Sequence, residues 1–134
     1  MKKLNCILLI DDNPADNYFH KMVIEEMNIA SHITISESGE DALAYLKDSN
    51  NLIPDLIFLD INMPKMSGWD FLKEFNKLKV AKKNKIVVVV LATLNNPNEI
   101  NRSPEISLVA NFELKPLSKR TLGGIMERHF NGLD

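Results

Sequence analysis

Three carboxylates, a hydroxyl and a lysine each follow a short apolar segment of the chain. If those segments are parallel strands, their carboxyl ends meet at one edge of a sheet, where ligands bind in open α/β folds. Neighbouring carboxylates raise one another's cost of ionising, and a hard divalent cation such as Mg²⁺ relieves that cost. The pattern therefore predicts a Mg²⁺ site beside a carboxylate that can attack phosphorus. The residues are Asp11, Asp12, Asp60, Thr93 and Lys115.

Each of these residues has an expected role in phosphoryl transfer. Asp60 is the predicted nucleophile, because it stands alone after the wholly apolar segment Leu56–Leu59. Transfer of a phosphoryl group requires mainly positioning and neutralisation of charge, which Mg²⁺ and a lysine can supply. We therefore expect Asp12 to bind the metal, Asp11 to bind it through water, and Lys115 to pair with the phosphoryl group.

The elements that must position these residues alternate along the chain. The strand-like segments are short and rich in Ile, Val, Leu or Phe, and two of them are apolar throughout, as in strands covered on both faces. Strict alternation of strands and helices through short connections predicts an α/β fold with a five-stranded parallel sheet and five helices on its two faces. The predicted strands are Leu4–Ile10, Ile33–Ile35, Leu56–Leu59, Ile86–Leu91 and Val109–Leu114.

The segments between the strands have the spacing of amphipathic helices. The first begins with Asn13 as its cap and Pro14 in its first turn. Four apolar side chains of this helix are predicted to face inward, whereas His20 is predicted to lie on the surface. Those four are Phe19, Met22, Val23 and Met27, and the later helices are predicted to begin near Ser38, Ser67, Asn96 and Ser118.

The composition bounds the class of protein. The chain has 134 residues, 16 basic and 18 acidic side chains and hence a net charge of −2, which disfavours a dedicated nucleic-acid binder. Its one cysteine cannot form an internal disulfide. The longest apolar run, Ile86–Ala92, is far shorter than the roughly 20 residues that span a bilayer. We therefore expect one cytoplasmic domain over residues 1–134, with no output domain and neither nucleic acid nor membrane as a partner.

Four motifs stand at or near the residues singled out above. They are Leu9-Ile10-Asp11-Asp12-Asn13, then Leu59-Asp60-Ile61-Asn62-Met63-Pro64, then Gly68 eight residues after Asp60, and finally Lys115-Pro116. Together they resemble the CheY-like receiver domain of two-component response regulators, and the resemblance covers essentially the whole chain. It implies a flavodoxin-like, doubly wound sheet with strand order 2-1-3-4-5.

The resemblance also implies a function and a set of site residues. It implies that Asp60 receives a phosphoryl group from a sensor histidine kinase or a histidine phosphotransfer protein. It implies that Mg²⁺ is held by Asp12, Asp60 and the backbone carbonyl of Asn62, and that the peptide bond between Lys115 and Pro116 is cis. By the same resemblance three residues have a structural role in the site: Pro64, Gly68 and Pro116.

The end of the fourth strand leaves one assignment open. The family places a threonine or serine there, whose hydroxyl reaches the phosphoryl group and begins the switch. Aligning the chain on Leu91 places Ala92 at that position, whereas counting back from Lys115 can select Thr93. The family's switch aromatic, three residues before the lysine, corresponds to Phe112, which lacks a hydroxyl but can still change rotamer.

Three functions remain open on the sequence alone. The first is a phosphoacceptor, not an enzyme acting on other substrates, that signals to a downstream protein by direct contact. The second is a receiver-like interaction module that does not switch, which the Ala92 alignment favours. The third is a phosphatase of the haloacid-dehalogenase type, which also uses a strand-end aspartate. That chemistry needs a second acid two residues later, where this chain has Asn62.

Overall fold

The computed structural model of the protein describes residues 3–79, 83–93 and 104–130. Its strands are β1 (Leu4–Ile10), β2 (Ala30–Ser36), β3 (Leu56–Asp60), β4 (Val87–Ala92) and β5 (Asn111–Leu114). Its α-helices are α1 (Pro14–Met27), α2 (Gly39–Lys47), α3 (Gly68–Lys77) and α4 (Lys119–Phe130). Two short 3-10 helices span Lys83–Lys85 and Pro104–Leu108. No helix within these described residues is long and apolar enough to cross a membrane.

The five strands form one sheet in the order β2-β1-β3-β4-β5, and every neighbouring pair is parallel. This confirms the predicted doubly wound α/β fold and its strand order. The edge strand β2 is longer than the predicted segment Ile33–Ile35, because its pairing with β1 continues over polar residues that an apolar pattern does not mark. The register pairs Asp60 with Leu91 and Ala92 with Leu114, so β3, β4 and β5 end at the same edge.

Helices cover both faces of the sheet, and alternate residues of each strand face different helices. Phe58 of β3 belongs to the core layer that packs against α1 and α4, and the next residue, Leu59, belongs to the layer that packs against α2 and α3. All five residues of β3 are buried, which is why this strand is apolar up to Asp60. Asp60 is therefore a buried acidic residue at the carboxyl end of an otherwise apolar strand.

The helix starts follow the capping residues that the sequence predicts. The Asn13 side chain accepts hydrogen bonds from the backbone amides of Ala15 and Asp16 at the start of α1. Ser38 caps α2, and α3 begins with a reciprocal capping box between Ser67 and Asp70. Each such cap typically stabilises a helix by about 1 kcal/mol. These caps fix the turns that lead from the strand ends into the helices.

The rotation of α1 about its axis differs from the prediction. The prediction is wrong for Phe19 and Met22, which are each 38% exposed, and for His20, which is buried together with Asn17. It is confirmed for Val23, which is buried, and Met27 is partly buried against the same core layer. The side-chain amide of Asn17 donates a hydrogen bond to the backbone carbonyl of Asp11. This bond turns the polar side of the first helical turn toward the sheet edge. Val23 and Ile24, further along α1, complete the buried face.

The predicted fourth helix, beginning near Asn96, lies outside the described residues. The description resumes in the 3-10 helix Pro104–Leu108, which packs beside α3 and leads into β5. The other four predicted helices are confirmed. The last one begins at Lys119, directly after Ser118, whose hydroxyl accepts a hydrogen bond from the backbone amide of Thr121.

Candidate functional site

The carboxyl ends of β1 and β3 bring three aspartates together. Asp11, Asp12 and Asp60 each offer a carboxylate oxygen, and these oxygens lie within 4.8 Å of one another. Asp11 and Asp60 are 3% and 5% exposed, and Asp12 is more open to solvent. The meeting follows from the register, because Ile10 and Leu59 are paired and the next residue on each strand is an aspartate. The site is thus a small anionic pocket at the edge of the sheet.

Lys115 reaches this pocket from the end of β5. Its ammonium nitrogen lies 2.7 Å from Oδ2 of Asp11, 2.8 Å from Oδ2 of Asp16 and 3.5 Å from Oδ1 of Asp60. Its backbone amide donates a hydrogen bond to the carbonyl of Ala92, 2.9 Å away, which continues the β4–β5 pairing by one residue. The peptide bond that follows Lys115 is cis, as the resemblance implies. One cation therefore faces three carboxylates.

The environment of Asp60 raises the pKa of its carboxyl to about 6. Burial makes the largest contribution, because it penalises the charged form, and the negative charge of Asp11 adds to it. The charge of Lys115 and a hydrogen bond from the backbone amide of Asn62 act in the opposite direction. Asp60 is still mostly ionised at neutral pH. Because its negative charge is unfavourable in this buried position, a bound cation would stabilise it.

The environment of Lys115 raises its pKa above the ordinary value. Burial alone would lower it, but hydrogen bonds to the carboxylates of Asp11 and Asp16 and the negative charges of Asp11 and Asp60 outweigh that effect. Asp11 is held in place from its other side, because its Oδ1 accepts a hydrogen bond from the backbone amide of Asn13, 2.9 Å away. Lys115 is therefore a permanent positive charge at working pH.

The donor set of this pocket fits Mg²⁺. Every candidate ligand atom is oxygen, as this ion requires, and the carboxylate oxygens of Asp11, Asp12 and Asp60 are close enough to share one ion and its waters. The backbone of Asn62 lies beside Asp60, since its amide donates to Oδ1 over 3.3 Å. A divalent cation bound here would relieve the repulsion among the three carboxylates.

The two candidate hydroxyl positions differ in their surroundings. Ala92 is the last residue of β4 and is buried, whereas Thr93 follows the strand and is exposed. Phe112, in β5, pairs with Val90 in the register and is half-buried. Its ring lies against that of Trp69, with the two centroids 6.2 Å apart. The aromatic pair therefore connects β5 to the start of α3.

The loop from β3 to α3 approaches the site closely. A Cβ atom on Gly68 would lie 2.8 Å from the carbonyl oxygen of Asp60 and 2.8 Å from Cα of Ile61, so only glycine fits there without movement. The amide of Gly68 also donates to the carbonyl of Ile61. Pro64 lies at the exposed outer side of this loop, followed by Lys65 in the left-handed region with φ of 66°. The loop is thus held against the end of β3.

Three residues of α1 near the pocket are absent from the site that the sequence predicts. Asp16 pairs with Lys115, and Asn17 donates to the backbone carbonyl of Asp11. His20 is buried near the charges of Lys115 and Asp16. The pKa of His20 is lowered, first by burial and then by the positive charge of Lys115. Their spacing was an available signal, because residues 13, 16, 17 and 20 fall on one side of a helix that begins beside the acidic pair.

Comparison with known proteins agrees with this geometry. The family described as the response regulator receiver domain matches residues 7–123. The response regulator Rcp1 of Synechocystis is 33% identical over 125 residues, which cover 87% of this chain and 84% of Rcp1. The family match includes the three acidic residues of the cluster and Lys115.

Solved structures have the same fold. A two-component response regulator from Cytophaga hutchinsonii superposes with a TM-score of 0.83 at 27% identity, covering 97% of this chain and 99% of that one. The receiver domain of the sensor histidine kinase PA1611 from Pseudomonas aeruginosa has a TM-score of 0.78 at 18% identity, covering 96% of this chain and 98% of its own. That structure has a magnesium ion coordinated in its active site cleft.

Proposed function

The chain belongs to the response regulator receiver domain family, and on that premise we propose that it accepts a phosphoryl group on Asp60 in a two-component phosphorelay. One observation carries the proposal. Asp60, with its pKa raised to about 6, lies in a cluster with Asp11 and Asp12 and 3.5 Å from the ammonium of Lys115. A buried nucleophile, an oxygen-rich cation pocket and a fixed positive charge are the parts that phosphoryl transfer to a carboxylate requires.

In the proposed step, a carboxylate oxygen of Asp60 forms a bond to the phosphorus of the donor. The bond between that phosphorus and the leaving atom of the donor breaks, and the leaving atom takes the electron pair. Lys115 remains protonated and pairs with an oxygen of the transferred group, because its raised pKa keeps it charged. The Asn62 amide, which donates to Asp60 over 3.3 Å, orients the carboxylate.

We propose Mg²⁺ as the cofactor. Asp12, Asp60, the carbonyl of Asn62 and, through water, Asp11 would hold it, in accordance with the cluster of carboxylate oxygens within 4.8 Å. When bound, Mg²⁺ supplies positive charge that offsets the carboxylates and the phosphoryl oxygens. The magnesium ion in the receiver domain of PA1611 supports this assignment by analogy of fold.

The proposed partners follow from the family. The donor would be a sensor histidine kinase or a histidine phosphotransfer protein, and the phosphorylated chain would act by contact with a downstream protein, in the cytoplasm. The chain would be a phosphoacceptor, not an enzyme with a separate substrate. A phosphatase of the haloacid-dehalogenase type is disfavoured, because Asn62 stands where that chemistry needs a general acid.

A receiver-like module that does not switch is the second candidate, and one observation favours it. The buried end of β4 carries Ala92, which has no hydroxyl to bind a phosphoryl group, while Thr93 is exposed. On this alternative, partner binding does not depend on a phosphoryl group at Asp60.

The experiment that tests the main proposal is mass spectrometry of the intact protein after incubation with acetyl phosphate and Mg²⁺. We expect one added phosphoryl group on the wild type and none on Asp60→Asn or in excess EDTA. Asp41→Asn is the matched control, because it neutralises an exposed acid in the first turn of α2 and should leave the modification unchanged. Modification of Asp60→Asn at the wild-type level would exclude Asp60 as the acceptor.

A further inference from the structure

Asp16 lies outside the acidic cluster but contacts its cation. It stands in the first turn of α1, and its Oδ2 accepts a hydrogen bond from the ammonium of Lys115, 2.8 Å away. We propose that Asp16 is a positioning residue that competes with the phosphoryl group for Lys115 and thereby slows phosphorylation of Asp60. This inference rests on the function proposed above, and its test separates the two.

The distances show how Lys115 divides its contacts. Its nitrogen lies 2.7 Å from Asp11 and 2.8 Å from Asp16, both within the range of a charge-assisted hydrogen bond. It lies 3.5 Å from Asp60, which is beyond that range. The short contacts with Asp11 and Asp16 hold the ammonium beyond hydrogen-bond range of Asp60. To pair closely with a phosphoryl group on Asp60, Lys115 must therefore lengthen its hydrogen bond to Asp16.

Asp16 continues to compete for Lys115 when a cation is bound at the acidic cluster. Asp11 belongs to the acidic cluster, so a bound cation would share its negative charge. Asp16 is not in that cluster, so its charge stays available to Lys115 when the cluster holds a cation. Its side chain is 39% exposed, so water can solvate its carboxylate once Lys115 leaves.

The backbone of Asp16 is fixed, which makes the contact a built feature of the helix start. Its amide donates to the side chain of Asn13, the residue that caps α1. Asn13 in turn donates its own amide to Oδ1 of Asp11. Asp16 and Asp11 are therefore both held in place by Asn13, the residue that caps α1.

The reaction that Asp16 would retard is balanced without further reactants. With acetyl phosphate as donor, an oxygen of Asp60 bonds to phosphorus, and the bond from phosphorus to the acetyl oxygen breaks. Acetate leaves with the electron pair, and Lys115 moves from Asp16 to a phosphoryl oxygen while keeping its proton. The cost of parting Lys115 from Asp16 falls on the approach to this transition state, since that is where the new contact forms.

The test is the rate of phosphorylation by acetyl phosphate at saturating Mg²⁺, followed by intact-protein mass spectrometry. We expect Asp16→Asn to react about threefold to tenfold faster than the wild type, the size of effect that a partly exposed ion pair can exert. Asp16→Glu keeps the charge and should stay within about twofold of the wild type. Asp41→Asn, which removes the same charge from another helix start, should leave the rate unchanged.

Ionic strength separates competition from a structural effect. Asp16 is partly exposed, so salt screens its pairing with Lys115, and the ratio of the Asp16→Asn rate to the wild-type rate should fall toward one between about 0.02 and 0.5 M salt. A ratio at or below one at low salt overturns the inference, as does a raised ratio that salt does not change. Absence of phosphorylation in the wild type overturns the proposed role of Asp60 instead.

Discussion

Trp69 and Phe112 contact each other between the start of α3 and the middle of β5, with their ring centroids 6.2 Å apart and their planes inclined at 49°. Trp69 follows Gly68, which itself touches the backbone of Asp60. Its indole Nε1 is buried and has no hydrogen-bond partner among the residues that the structure describes. Any movement of Phe112 would therefore change the surroundings of an indole that is close to the proposed phosphorylation site.

This contact makes the single tryptophan a reporter of the site. We expect its emission to change when acetyl phosphate and Mg²⁺ are added, with a shift to longer wavelength if the indole N–H gains access to water. Stopped-flow fluorescence measures the change, and Asp60→Asn should not show it. Phe112→Leu should show a smaller one, because the ring contact is lost. Phosphorylation detected by mass spectrometry with constant emission would contradict a role for the Trp69–Phe112 contact.

A second prediction concerns the open hydroxyl position at the end of β4. If Ala92 holds that position, Ala92→Thr supplies the missing hydroxyl and should enlarge the phosphorylation-dependent emission change of Trp69. Thr93→Ala should leave that change unaltered, because the Thr93 side chain is exposed.

Ala92→Val is the matched control for this substitution. Valine has the shape of threonine without the hydroxyl, and both would cost about 1–3 kcal/mol of stability by overfilling a buried site. A larger response in the threonine variant alone would assign the position to Ala92. Equal responses in the two variants, together with a loss in Thr93→Ala, would assign it to Thr93.

Local signals made most of the fold predictable from the sequence. The helix caps at Asn13, Ser38 and Ser67 lie next to the helices they begin, and each was identifiable from a few adjacent residues. The apolar run before Asp60 marked a buried strand and, with it, the end at which the aspartate emerges. Because strands alternate with helices along the chain, the strands were expected to be parallel, which places Asp11 and Asp60 at one edge of the sheet.

Relations between distant residues were not predictable in the same way. Asp16 and Lys115 are 99 residues apart in sequence, and their pairing depends on the exact rotation of α1 over the sheet. Apolar residues occur around much of that helix, so periodicity alone favoured the face of Phe19. The hydrogen bond from Asn17 to the backbone of Asp11 favours the observed rotation, and the apolar pattern alone does not mark it.

The raised pKa of Asp60 predicts that this residue destabilises the metal-free protein at neutral pH. A carboxyl whose pKa is about 6 in the folded chain and near 4 when unfolded binds its proton more tightly in the folded state. The free energy of unfolding therefore falls as pH rises through 4 to 6. Asp60→Asn removes this effect and should be more stable than the wild type by on the order of 2 kcal/mol at pH 7.5.

Urea unfolding in EDTA at several pH values measures this difference. We expect the stability gain of Asp60→Asn to shrink strongly by pH 4, where the wild-type carboxyl is protonated in the folded chain and about half protonated in the unfolded chain. Added Mg²⁺ should stabilise the wild type more than the variant, because the ion binds the folded carboxylate. A gain that is the same at pH 4 and pH 7.5 would exclude the buried charge as its cause.

The last prediction concerns the close approach of α3 to Asp60, the proposed phosphoacceptor. In Gly68→Ala, the new Cβ would lie 2.8 Å from two backbone atoms of Asp60 and Ile61, neither of which belongs to a flexible side chain. We expect a loss of about 2 kcal/mol in stability, typical of overfilling a tightly packed position. We also expect weaker Mg²⁺ binding, because the displaced backbone carries the Asp60 carboxylate with it.

Gly123→Ala is the matched control, since a Cβ there meets nothing within 4 Å and the residue lies inside α4. Replacing an unconstrained helical glycine by alanine should raise stability by about 0.5–1 kcal/mol. Thermal unfolding compares the two variants, and isothermal titration calorimetry measures their affinity for Mg²⁺. If Gly68→Ala keeps both the stability and the affinity of the wild type, the loop after β3 can move away from α3 without disturbing Asp60, and Gly68 has no part in positioning the site.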